Sequence, residues 1–367
     1  MTPNPALEKA ILANPFSPDA WAVYGDWLAE QGDPLGELVA VQIALGAKPD
    51  DRALQKKDRE LRAANEEAWL GDLAGLDKDE LETTWRYGFL EGVVVGNDEH
   101  SDADGPETIA SLLALPTARF LEWLHIRIFE HDDGQPSYEA IIAQMAAQGL
   151  PSSLRELHFD VARYQISWTS LGDLTPLYPH LATLEELHLT VGSMELGAVA
   201  LPRLKVLEIV TPGLTRENMA AINKALWPRL ETLTLYTGSS EYGSTCTIAD
   251  LAPVFAGTRF PAVEVLSLSN SEFADEIAKA ICTAPVLQQL RELTLEKGTM
   301  TDAGAEVILA HAGAMTHLTR LDLGENYLTP RMVARLEAAF GTRLTPCSAT
   351  QGEEDEEQDA RYVQVAE

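Results

Sequence analysis

Cysteine is scarce in this chain: Cys246, Cys282 and Cys347 are an odd number, far apart, with no Cys-x-x-Cys between them. That spacing excludes a disulfide framework and points to reduced thiols. Cationic side chains are also few, with 27 Lys and Arg against 57 Asp and Glu and a formal net charge of −30. A field of that sign repels phosphate, so nucleic acid and anionic membrane are poor partners and a basic protein is favoured. Long apolar runs are missing, and nothing approaches the ~18 residues of a membrane-spanning helix. The opening MTPNPALEKAILANP has neither a basic n-region nor an apolar h-region. A soluble, cytoplasmic protein without an export signal is expected.

Catalytic signatures are lacking as well. The sequence contains no G-x-x-x-x-G-K-[ST], G-x-S-x-G, H-E-x-x-H or G-x-G-x-x-G, so the phosphate cradles, nucleophile elbows and zinc helices those motifs build are not expected. The stretch Asp102-Ala103-Asp104-Gly105 has the look of a calcium loop, but His100 and Ser111 stand at its first and twelfth ligand positions. A solvated acidic turn is the expectation there.

What the chain does have is a repeat. Apolar residues make up 46 % of its 367 positions, enough for a packed core. From Leu90 onward the pattern apolar-x-x-apolar-x-apolar recurs nine times, starting at Leu90, Leu121, Leu154, Leu184, Leu204, Leu230, Val263, Leu290 and Leu318. The starts are 31, 33, 30, 20, 26, 33, 27 and 28 residues apart. Apolar side chains two apart share one face of a short strand, and the residues between them face the other way. Between the patterns, 137–149, 216–227, 273–284 and 330–340 carry the helical period. Strand, helix and parallel strand repeated in this way predict an α/β solenoid, with parallel strands lining a concave face, helices on the convex face, and a core supplied by stacking.

These residues resemble the leucine-rich repeat family, in the class with a full helix per repeat. The unit Leu318-Thr319-Arg320-Leu321-Asp322-Leu323-Gly324-Glu325-Asn326-Tyr327-Leu328 matches the family pattern throughout. The resemblance implies that Asn326 bonds the turn backbone of neighbouring repeats. The other eight units hold Asp98, Phe129, Ala162, Gly192, Pro212, Gly238, Ser271 and Gly298 at that position, so a ladder of asparagines is not expected. The unit starting at Leu184 is too short for a full helix and predicts an extended segment instead.

Residues 1–75 do not repeat. Ser17-Pro18-Asp19 reads as an N-cap, a first-turn proline and a first-turn acid opening a helix to about Gln31, with further helices over 35–46 and 51–70. The run Tyr24-Gly25-Asp26-Trp27-Leu28 followed by Gly32-Asp33-Pro34-Leu35-Gly36-Glu37 resembles the repeat-companion domain of bacterial, myxobacterial-type leucine-rich repeat proteins. It implies a small all-α cap, with Trp21, Tyr24 and Trp27 as its core or, alternatively, as a docking surface. The domain organisation expected is a cap over 1–75, a solenoid over 76–345 and an acidic, disordered tail over 346–367. The last residues of that tail are left open between a docked strand and a free motif.

The outward columns of the repeats carry the candidate site. Their third, fifth and seventh positions place Trp123, His125 and Arg127 on one strand, then Glu156, His158 and Asp160, then Glu186 and His188, then Glu208, with Tyr236 further along. Aromatic anchors among charges are what interface centres use. The histidines at 125, 158 and 188 allow three readings: polar filling of a solvated face, contact with a partner, or a metal site. The function expected is a non-catalytic protein-interaction scaffold that binds a basic protein, without cofactor or metal. A sequestering inhibitor or immunity-type protein is a specific form of it. The competing reading is a metal-dependent hydrolase built on His125, His158 and His188.

Overall fold

Proline at the first turn and burial at i, i+3, i+4 and i+7 make a helix of Pro18–Glu30, whose Trp21, Tyr24, Gly25 and Leu28 face inward. Ser17 stands at its N-cap in extended conformation, but its side chain makes no capping bond, so proline and dipole carry that end. In a computed structural model, residues 3–97, 103–128, 136–347 and 361–366 of the chain are described. His100 and Asp102 of the calcium-like stretch, the slots of Asp98 and Phe129, and the acids of 353–359 lie outside them.

The chain divides into two compact units, Met1–His131 with Ala143–Glu156 and Asp132–Ile142 with Leu157–Glu367. In the first, α1 (Pro5–Ala13), α2 (Pro18–Glu30), α3 (Leu35–Ala47) and α4 (Arg52–Leu70) precede β1 (Leu81–Arg86), β2 (Phe89–Val95), α5 (Gly105–Ala114) and β3 (Trp123–Ile126). Asp51 caps α4 by accepting from the N–H groups of Ala53 and Leu54 at 2.9 and 3.2 Å. Trp21 lies 5.5 Å from Phe89 and 5.0 Å from Phe120 between ring centroids, and Tyr24 and Leu38 join the same core. The helical segment therefore shares one core with β2, and the boundary expected near residue 75 falls inside this unit. β1 pairs antiparallel with β2, and β2 pairs parallel with β3. The sequence does not announce the antiparallel strand, because LETTWR has no leucine pattern.

Two elements straddle the division: α6 (Glu139–Gln148) and β4 (Glu156–Phe159). The second unit continues with β5 (Ser170–Asp173), β6 (Glu186–Thr190), β7 (Ser193–Glu195), β8 (Val206–Val210), α7 (Arg216–Lys224) and β9 (Thr232–Gly238). It ends with α8 (Ala252–Ala256), β10 (Val265–Ser271), α9 (Ala274–Ile281), β11 (Glu292–Thr294), α10 (Asp302–Ala310), β12 (Arg320–Asp322) and α11 (Pro330–Phe340). Its main sheet runs in the order β4, β6, β8, β9, β10, β11, β12, and every pairing from β6 to β12 is parallel. The chain is thus an α/β protein whose strands pair mostly in parallel.

All nine patterns form strands, and their three apolar positions are each exposed by 2 % or less. Leu187, Leu207, Leu233, Leu266, Leu293 and Leu321 follow one another in register across the second unit. Each buried leucine contributes about 1.5–3 kcal/mol relative to exposure. The short unit from Leu184 has no helix before β8; β7 pairs with β5 in a small parallel sheet instead, the extended segment its length requires. Asn326, 1 % exposed, donates to the carbonyls of Leu295 at 2.7 Å and Leu323 at 3.0 Å and accepts from the N–H of Met300 at 3.1 Å.

Of the two readings open for the last residues of the tail, residues 361–366 take the docked one. Val363 and Val365 are buried, at 7 % and 2 % exposure, while their neighbours Tyr362 and Gln364 point outward. This period of two is the signature of an extended segment lying on a surface. The surface it lies on is built around Asn270, which is far away in sequence.

Candidate functional site

In β3 the outward residues are Trp123 and His125, half-buried between the fully buried Leu124 and Ile126. Register sets Trp123 against Gly92 of β2. A Cβ at Gly92 would stand 1.6 Å from Cε2 of the Trp123 indole, so the ring lies directly on the glycine backbone. Only a residue without a side chain permits that approach. The His125 imidazole sits 5.0 Å from the Trp123 ring, and its Nε2 is 2.8 Å from Oε1 of Glu156. Arg127 reaches Glu82 of β1 at 3.4 Å. Arg86 is held by Glu91 at 2.6 Å and by Glu122, with its guanidinium 4.8 Å above the Phe16 ring. The first unit thus presents an indole bordered by a histidine and paired charges.

In the second unit the imidazoles of His158 and His188 stack, 4.0 Å between centroids and 24° between planes. Nε2 of His188 lies 3.5 Å from Glu186 on its own strand, and Nδ1 lies 3.8 Å from Glu208 of β8. Burial alone would lower the His188 pKa, but the carboxylates of Glu208 and Glu186 outweigh it and raise the group above its ordinary value. Asp160, just beyond β4, is exposed and accepts from the N–H of Val161 at 3.0 Å.

Tyr236 does not stand free as expected. It is 8 % exposed, its hydroxyl is 3.3 Å from Glu296, and burial pushes its pKa up to about 12. It contributes packing and one hydroxyl rather than contact area. Beside it Lys297 bridges Glu296 at 2.9 Å and Glu325 at 3.0 Å. Lys297 and Glu325 were missed because they occupy the eighth position of the repeat, outside the three columns that strand alternation turns outward. A shared peculiarity marks that position: Asn270, Lys297 and Glu325 have φ of 51, 62 and 53°, a left-handed backbone at non-glycine residues in three successive repeats.

Two of the three thiols are withdrawn from chemistry. Burial pushes Cys246 up to about 12 and Cys282 up to about 11, so both stay protonated at neutral pH. Among the described residues, no helix is long and apolar enough to cross a membrane.

No protein-family model and no curated protein sequence matches this chain. Among solved structures, a crystal structure of a Bacteroides fragilis protein is similar, with a TM-score of 0.61 at 20 % identity over 80 % of this chain and 82 % of that one. At that identity the likeness speaks of fold alone.

Proposed function

We propose that this chain is a solenoid of the leucine-rich repeat type that works as a protein-interaction module, engaging a basic protein through the outward faces of its parallel strands. One observation carries the reading. Each strand of the charged stretch presents aromatic or ionisable side chains outward from a core exposed by 2 % or less: Trp123 and His125, Glu186 and His188, then Glu208. Within each unit, strand pairing fixes such groups in space before a partner arrives, which lowers the entropic cost of association. The indole on Gly92 and the stacked imidazoles supply flat, amphipathic area, and the carboxylates beside them complement cations. The net charge of −30 adds long-range attraction for a basic ligand. The bonds Asn326 makes to an adjacent turn support the repeat-type reading.

The experiment is affinity capture from cell extract, comparing the wild type with Trp123→Ala and with the paired Glu186→Lys/Glu208→Lys variant. Basic proteins retained by the wild type and lost from both variants, with retention falling as salt rises, are the expected outcome. An identical retained set for all three proteins sinks the reading.

A further inference from the structure

The segment 361–366 lies on a surface made by the ends of three successive repeats, and its main chain is read residue by residue. The side-chain amide of Asn270, fully buried, accepts from the N–H of Val365 and donates to its carbonyl, both at 2.8 Å. The N–H of Gln364 donates to the carbonyl of Lys297 at 3.1 Å. The hydroxyl of Tyr327 accepts from the N–H of Tyr362 at 2.8 Å and donates to its carbonyl at 3.1 Å. Val363 and Val365 fill the apolar positions below. Three of these five bonds are made by Asn270 and Lys297, whose backbones are left-handed. Lys297 holds that conformation only at a cost of about 1 kcal/mol or more, so the surrounding structure maintains it, whereas asparagine adopts it more readily.

Main-chain bonds for affinity and pockets for alternate side chains are the construction of a peptide-recognition site. We propose that Asn270, Lys297 and Tyr327 form such a site for an extended Tyr-Val-x-Val segment, and that its occupant is exchangeable: a second copy of this chain delivers its own C-terminal segment in place of the resident one. Each copy carries both halves of the contact, the groove and the ligand. Thirteen residues, 348–360, separate the segment from the last repeat. That length can reach about 45 Å when extended, whereas three neighbouring strands are only about 10 Å across. Chain length therefore does not confine the segment to its own groove. Tethering gives the resident segment a roughly millimolar effective concentration, so the wild type is a monomer in dilute solution. Exchange becomes visible when the resident segment is disabled. Two copies of charge −30 repel, so this association strengthens with salt, the opposite of binding to a basic partner.

The test uses full-length chains. Val363→Asp/Val365→Asp releases the resident segment and leaves the groove intact; Gln364→Pro, at an exposed side chain, releases it by removing the donor to Lys297. Asn270→Gly keeps the left-handed backbone and removes the reading amide. A fluorescent peptide of sequence RYVQVAE is expected to bind either released variant at least tenfold more tightly than the wild type, and to lose at least tenfold when Asn270→Gly is added. Light scattering of a mixture of Val363→Asp/Val365→Asp chain with Asn270→Gly chain is expected to show a one-to-one complex that neither forms alone. A peptide that binds no variant, binding indifferent to Asn270→Gly, or a mixture that stays monomeric overturns the proposal.

Discussion

His158 and His188 lie ring on ring, 4.0 Å apart, and His188 has a carboxylate near each nitrogen, Glu186 at 3.5 Å and Glu208 at 3.8 Å. The two acids stabilise a proton on His188.

That placement gives a pH dependence of definite sign. The folded pKa of His188 lies above its unfolded value of about 6.5, so the stability it contributes is full below that pH and is lost as pH rises through the folded value. The acids are partly exposed, which limits the effect to about 1 kcal/mol. His188→Gln is expected to lower the melting temperature by about 2 °C at pH 6 and by less at pH 8. An equal shift at both values in calorimetry would place the proton elsewhere.

The indole on Gly92 predicts a coupling. Gly92→Ala forces the Trp123 ring away and is expected to cost about 1–3 kcal/mol. In a Trp123→Ala background the same substitution no longer meets the indole and should cost far less. Urea denaturation of the four proteins measures the difference, and additive costs would mean that the ring does not lie on the glycine.

Asn326→Ala leaves the N–H of Met300 and the carbonyls of Leu295 and Leu323 without their side-chain partner in a buried turn. About 1–3 kcal/mol of destabilisation is expected. Hydrogen exchange should speed up at Met300 in particular; unchanged protection there contradicts the assignment.

Leu233→Asp places a carboxylate where the side chain is fully buried among leucines. With no partner for the charge, cooperative folding of the second unit should be lost, a cost of several kcal/mol. A variant melting within a few degrees of wild type by circular dichroism would show that the inward face is assigned wrongly.

Truncation before Glu353 removes the docked segment, exposes the apolar positions under Val363 and Val365 and strips Asn270 of both its partners. A fall of a few degrees in melting temperature is expected, reversed in part by added RYVQVAE peptide. No fall would mean that the segment contributes nothing to the folded state.

The strands were legible in the sequence because their signal is local. Leu154, Leu157 and Phe159 announce a strand and its inward face by their spacing alone, and the neighbours expected outward, Glu156 and His158, are outward. The same alternation put Trp123, His125, Glu186 and His188 on outward faces, so the membership of the candidate site was largely readable. What each member does there was not. Whether an indole lies flat depends on Gly92, 31 residues earlier in a neighbouring strand. Whether Tyr236 is exposed depends on Glu296 and Lys297, two repeats onward. The terminal Tyr362-Val363-Gln364-Val365 shows an apolar period of two in the sequence, but the amide that holds it is 95 residues back, at Asn270. Periodicity along the chain decides which way a side chain points, since strand geometry enforces it residue by residue. What that side chain meets is decided only when strand pairing brings residues distant in sequence to within a few ångströms of each other.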